Sequence, residues 1–404
     1  MKKISILLLS LSLVLACSSD DDNNQPNDNN VTKADVVSNY ADVVYQSYAD
    51  SYSAAITMQS AINAFVNDPT DARFTTAKST WLAAREPYGQ TEAYRGATGP
   101  IDTDGNPWSL NTEGQMNAWP IDEAYIDYVE AGSEAWAGTF TSSIIADASI
   151  TIDASTLADL NEAGGSNEKA VSTGWHAIEF LLWGQDQTFP EAELAGQREF
   201  TDYTTASDAD RRGQYLQVVT NLLVSDLNDL ANTWTVGGTY RTVFEGLDED
   251  VALSQAIQGA FFISGDELSE ERMVVPVDNT EGIGGLGQEL EHSCFADNTN
   301  RDVYNNAKGV INVIFGSYGT TNGASFYDLV LLENPTQANS LKAAADEVIA
   351  RVNIVGVNSK PFDLLIAQES TNPITGPVME SVVALRDLAD EISASATLIG
   401  LTVN

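Results

Sequence analysis

The chain has 404 residues, 43% of them hydrophobic, enough for a sizeable core and, at roughly 100–200 residues per domain, for two domains. Its 58 acidic residues against 19 basic ones leave a net charge of −39. A surface this acidic repels phosphate backbones and anionic lipid headgroups, which argues against nucleic-acid binding and against docking on acidic membranes, and it draws cations toward itself.

The first residues read as an export signal. Lys2 and Lys3 form a short positive segment, and Ile4 to Leu15 is a run of apolar residues and serines. That run is too short to span a membrane as a mature helix. It ends in Ala16-Cys17, a small residue followed by Cys, the cleavage pattern of lipoprotein signal peptidase. Residues 1–16 are therefore expected to be removed and Cys17 to carry lipid, a membrane anchor in the cell envelope, at the outer membrane, with the body outside the cytoplasm and either face of that membrane open to it. Residues 17–30, rich in Asp, Asn and Ser, have nothing apolar to bury and read as an acidic, disordered leash. With Cys17 committed to lipid, Cys294 has no partner in the chain, so the body must hold itself by its core, without a disulfide.

Beyond the leash the apolar spacing is helical, so the fold class is all-α. Helices are predicted over Lys33 to Asn67, Thr70 to Arg95, Asn167 to Trp183, Asp248 to Val275 and Arg301 to Phe315. Three more follow from steps of three and four: Tyr215 to Leu230 after a Ser207 cap, Leu341 to Val355 after Pro335, and Val378 to Ala396 after Pro377. A little strand is predicted around Ser149 to Ile152. Long loops such as Gly132 to Ser166 and Gln185 to Asp208 exceed simple connections and are candidates for function. The pattern suggests two antiparallel helical bundles packed together, 31–236 and 237–404, with the boundary near Trp234 to Asp248.

Both histidines of the chain sit beside a glutamate. Gly174-Trp175-His176-Ala177-Ile178-Glu179 opens a segment apolar on nearly every face, which predicts a buried helix. His176 and Glu179, three residues apart, share one side of it, and a buried carboxylate must be paired or bind a metal. Within the core they can also simply satisfy each other. In Glu289-Leu290-Glu291-His292 the order is reversed, the spacing with which helical bundles present two ligands to one metal. If this is a helical turn, Glu289 and His292 point the same way; otherwise it is a solvated acidic loop. Glu267 and Glu271, four apart at the charged end of an apolar helix and followed by Arg272, are candidates to face the same site or to lie in solvent. Trp81 to Arg95 mixes aromatics with Arg and Glu and supplies either further polar groups or a salt-bridged face.

Gly174, His176 and Glu179, together with the run Gln288 to Asp302, the Glu271-Arg272-Met273 step and the Asn117-Ala118-Trp119-Pro120-Ile121-Asp122 segment, resemble the imelysin family over nearly the whole body from Val31 onward. The resemblance implies a two-domain helical-bundle protein with a polar site between the domains. Relatives are classed as metallopeptidases or as iron-regulated envelope proteins and parts of iron-uptake systems. By residue match the expected metal ligands are His176, Glu179, Glu289 and His292. Gly174, Glu267, Glu271, Arg272, Asp297 and Asp302 support them.

Three functions compete at this stage. The first is binding of a metal ion or metal-bearing ligand for uptake or sensing, with a divalent or ferric ion (Fe or Zn) suited to carboxylates and imidazoles. The second is a metallopeptidase, with Glu289 or Glu291 as base. Against it, the sequence lacks the His-Glu-x-x-His helix that supplies two ligands and a base together. The third is an adhesin or glycan-binding module using Trp108, Trp119, Trp136 and Trp234.

Overall fold

The first long helix shows how local sequence sets the architecture. Thr32 caps α1 (Lys33–Asn67) by accepting from Asp35 N, while Asp35 accepts from Thr32 N, a reciprocal capping box. Val36, Tyr40, Val43, Val44, Tyr48, Ala55, Met58, Ile62 and Phe65 line its buried side at helical spacing. It packs against α2 (Asp71–Gly89) and, further along the chain, α4 (Ala209–Trp234). Between these lie a long irregular segment and α3 (Gly174–Trp183), whose ten residues are all buried.

The computed structural model describes residues 31–95, 99–130, 140, 142–162, 167–279, 285, 287–357, 360–370 and 376–403. The export signal, the leash, Cys17 and Trp136 lie outside them. Among the described residues no helix is long and apolar enough to cross a membrane.

The second set of helices begins with α5 (Glu249–Phe262), which runs without a break into twelve residues of π-helix, Ile263–Val274. Then come α6 (Thr299–Phe315), α7 (Phe326–Glu333), α8 (Pro335–Gly356) and α9 (Pro377–Leu398). Prolines at the first turns of α8 and α9 cost nothing, because the N–H they lack has no partner there. α8 packs on α9, and α6 lies against α8, α2 and the π segment, so it joins the two sets.

The expected helices are therefore present, and the fold is all-α. Two details differ. The chain around Ser149 is a turn, because Asp147 accepts from both the N–H and the hydroxyl of Ser149. Among the described residues, the one small antiparallel pair is elsewhere, Ser317–Tyr318 with Thr321–Asn322.

Candidate functional site

α3 starts at a residue only glycine can fill. Gly174 has φ +82°, and a Cβ on it would stand 2.3 Å from the Met116 carbonyl oxygen. This close approach lets the helix begin against the Glu113–Asn117 turn and fixes where His176 and Glu179 project.

His176 Nδ1 lies 2.8 Å from Glu179 Oε2, and Glu179 Oε1 accepts from Ala296 N at 2.8 Å. Both Glu179 oxygens are thus engaged. Burial pushes the Glu179 carboxyl well up, and it pushes the His176 imidazole well down, with His292 and Arg85 adding to the latter. His176 Nε2 is left buried with no hydrogen-bond partner.

His292 meets it from the other side, with ring centroids 4.7 Å apart, and Trp119 packs edge-on to His292 at 5.1 Å. Asp302 Oδ2 faces His292 Nδ1 at 3.2 Å, and Asn117 Nδ2 faces Nε2 at 3.4 Å. Arg85 NH2 also approaches Nδ1, at 3.5 Å, so a donor and an acceptor both face that nitrogen. Burial, then the Arg272 and Arg85 charges, hold it neutral. Arg85 NH1 donates to Asn117 Oδ1 at 2.8 Å, which fixes the amide, and Arg85 NH2 pairs with Asp302 Oδ1 at 3.1 Å.

Beneath the rings runs a buried ionic network. Asn117 Nδ2 donates to Glu92 Oε1 at 3.0 Å, and Glu92 Oε2 takes Arg272 at 2.9 Å and Arg95 at 3.1 Å. Burial alone would raise Glu92, but Arg272 and Arg95 outweigh it and bring its pKa to about 2. Arg272 also holds Glu267 at 2.9 Å. The π-helix explains this pairing: its repeat joins residues five apart, so Arg272 lies beside Glu267. Glu271, four apart from Glu267, is exposed. The two glutamates do not face one site.

A cavity of about 10 Å³, room for roughly one water, is bounded by both histidines, Glu289, Glu291, Cys294, Phe295 and Trp119. Glu289 and His292 reach it without sharing a helical face. Gln288–Leu290 is a single 3-10 turn, and extended backbone at Glu291 separates the two. Burial, with Glu289 and Glu179 nearby, pushes the Cys294 thiol well up, so it stays protonated.

The profile of the imelysin family matches residues 44–390. The chain belongs to the imelysin family. Among curated proteins it is 34% identical over 80 residues to iron-regulated protein A of Synechococcus elongatus, a match that spans 20% of either chain. Among solved structures, an iron-regulated protein A precursor from Parabacteroides distasonis is similar, with a TM-score of 0.65 and 17% identity. That match covers 91% of this chain and 95% of that one, a likeness of fold.

On this imelysin fold, His176, Glu179, His292, Glu289 and Asp302 come together, with Arg272 and Glu267 in the adjoining network. Asp297 lies apart from that network, in a different cluster. Asp186, Asp297 and Asp363 bring carboxylate oxygens within 4.8 Å of one another, a spacing that the expected ligand set does not reach among the described residues. Burial and mutual repulsion push Asp297 up to about 8 and Asp363 up to about 7. Sequence reading left Glu92, Arg85 and Asn117 without roles, though all lie in segments it singled out for charge among aromatics or for family likeness. It missed Asp186 and Asp363, which no spacing connects. Of the tryptophans, Trp234 is in the core among Tyr40, Tyr240 and Phe244, and Trp108 packs on Tyr240.

Proposed function

We propose that this chain is an envelope lipoprotein that binds iron or a similar transition-metal ion in uptake or sensing. The observation that carries this reading is His176 Nε2, a buried imidazole nitrogen without a partner, on a ring whose other nitrogen is held by Glu179. A carboxylate on the far nitrogen is the arrangement that orients a metal-binding histidine and raises its basicity. The residues present therefore fit a metal. His176 Nε2 would hold it, with His292 and Glu289 on the same cavity and Glu179 as the positioning residue. Imidazole and carboxylate donors suit Fe or Zn and would supply affinity for a divalent or ferric ion. The names of the two relatives support iron. Metal ligands bind in their deprotonated forms, so affinity is expected to rise with pH.

Peptide hydrolysis would need an open coordination position and a base beside a substrate-sized cleft. The cavity here has room for about one water, so this geometry favours binding. The test is equilibrium binding of Fe and Zn to the full chain, wild type against His176→Ala, with casein and unfolded insulin chain assayed alongside. The reading expects uptake by wild type, lost in the variant, and no cleavage. Equal uptake by both would remove it, and metal-dependent cleavage abolished in the variant would replace it with a peptidase. The anchor at Cys17 is part of the same proposal. If Cys17→Ser stays as firmly with the membrane fraction as wild type, the tether lies elsewhere.

A further inference from the structure

We propose a second cation site, separate from the histidine pair, in which Asp186, Asp297 and Asp363 hold a hard divalent cation of the calcium class. Three carboxylates from distant parts of the chain converge, with one oxygen of each within 4.8 Å of the others. Oxygens on opposite sides of a calcium ion, each at roughly 2.4 Å, are about 4.8 Å apart, so all three fit inside one coordination shell. Asp186 and Asp363 are buried, at 6% and 2% exposure, where uncompensated like charges repel strongly.

Two further oxygen groups point to a ligand independently of the trio. Gln288 is 2% exposed, and its Nε2 donates to Asp186 Oδ2 at 2.7 Å, which seats the amide at the cluster. Its Oε1 has no partner. Glu291 is also 2% exposed and lacks a well-formed hydrogen bond at either oxygen. Asp363, Asp297 and Asp186 are near enough to raise its carboxyl, although its oxygens stand outside the 4.8 Å group. Glu291 also lines the histidine cavity and so stands between the two sites. The donors are all oxygen, without imidazole or thiolate. That selects a hard cation, and several carboxylates gathered from loops favour calcium over magnesium, which keeps most of its waters. A bound cation replaces mutual repulsion with attraction and uses the buried oxygens that lack partners.

The experiment is calorimetric titration of the full chain, freed of metal by chelation, with CaCl2 and in parallel MgCl2, beside thermal melts with and without calcium. Wild type is expected to bind one Ca2+ saturably, more tightly than Mg2+, with Tm raised by roughly 2–4 °C. Asp363→Asn is expected to weaken calcium binding at least tenfold, abolish the Tm rise and melt no lower than wild type in chelator, because it removes repulsion. Asp297→Asn, at a half-buried position with φ +52° that asparagine tolerates, gives the same answer if Asp363→Asn does not fold. No saturable calcium binding by wild type, or undiminished binding by both folded variants, overturns the site. Tighter binding of Mg2+ overturns the choice of calcium.

Discussion

At the scale of residues, Arg272 and His176 are held in different ways. Arg272 is 1% exposed and divides its guanidinium between Glu92, Glu267 and Asn306. Removing one partner of a buried ion pair strands the other charge, at a cost of about 3–5 kcal/mol. Arg272→Ala is therefore expected to lose that much stability in urea unfolding, and adding Glu92→Gln should restore part of it. A loss below about 1 kcal/mol would mean that the network relaxes onto Arg95 alone. His176 Nε2, on a ring whose other nitrogen is held by Glu179, has no hydrogen-bond partner. A polar atom left so in a core costs about 1–3 kcal/mol unless something occupies the position, which is why it is read as a binding atom.

At the scale of elements, the N-terminus of α3 positions the chemistry. Gly174→Ala places an L-residue at φ +82° and a Cβ against the Met116 carbonyl. The left-handed backbone costs about 1–2 kcal/mol by itself, and the clash adds to it. At least ~2 kcal/mol of destabilisation is expected by chemical denaturation, together with weaker metal uptake as α3 shifts. Unchanged values for both would show that the helix start does not set the site. The elements were largely legible in the sequence because they are long and periodic: α1 occupies the predicted Lys33 to Asn67, and the Pro335 and Pro377 starts hold. The His176–Glu179 contact was legible because it is local. The π register was not, since a helix period of 3.6 and one near 4.4 leave similar apolar patterns over twelve residues, and so Glu271 was paired with Glu267 where Arg272 belongs. Asp186 and Asp363 stayed invisible for a different reason. Their meeting depends on how the segment after α3, with its Pro190–Ala192 turn, packs on the Phe362–Glu369 helix, a tertiary fact with no local trace.

At the scale of the whole molecule, the acidity has a consequence for folding. Glu179 and Glu291 are raised well above the ordinary carboxylate range, Asp297 to about 8, Asp363 and Glu113 to about 7, and Asp226 to about 6, in each case chiefly by burial. A carboxylate raised by folding contributes stability below its unfolded pKa and loses it as pH rises through the folded value. His176 and His292, lowered by folding, act oppositely and cost stability as pH falls below about 6.5. The raised carboxylates outnumber the two imidazoles, and self-repulsion at a net charge of −39 acts with them. The metal-free chain is thus expected to show a higher urea midpoint near pH 5.5 than near pH 8; a midpoint that rises with pH would mean that the histidines dominate. The central claim, that His176 Nε2 is where a metal binds, is tested most directly by anomalous diffraction at the iron or zinc edge from crystals of the full chain loaded with that metal. The account predicts a peak about 2.0–2.2 Å from His176 Nε2. A peak at the aspartate cluster or on the surface, with none at His176, would contradict it.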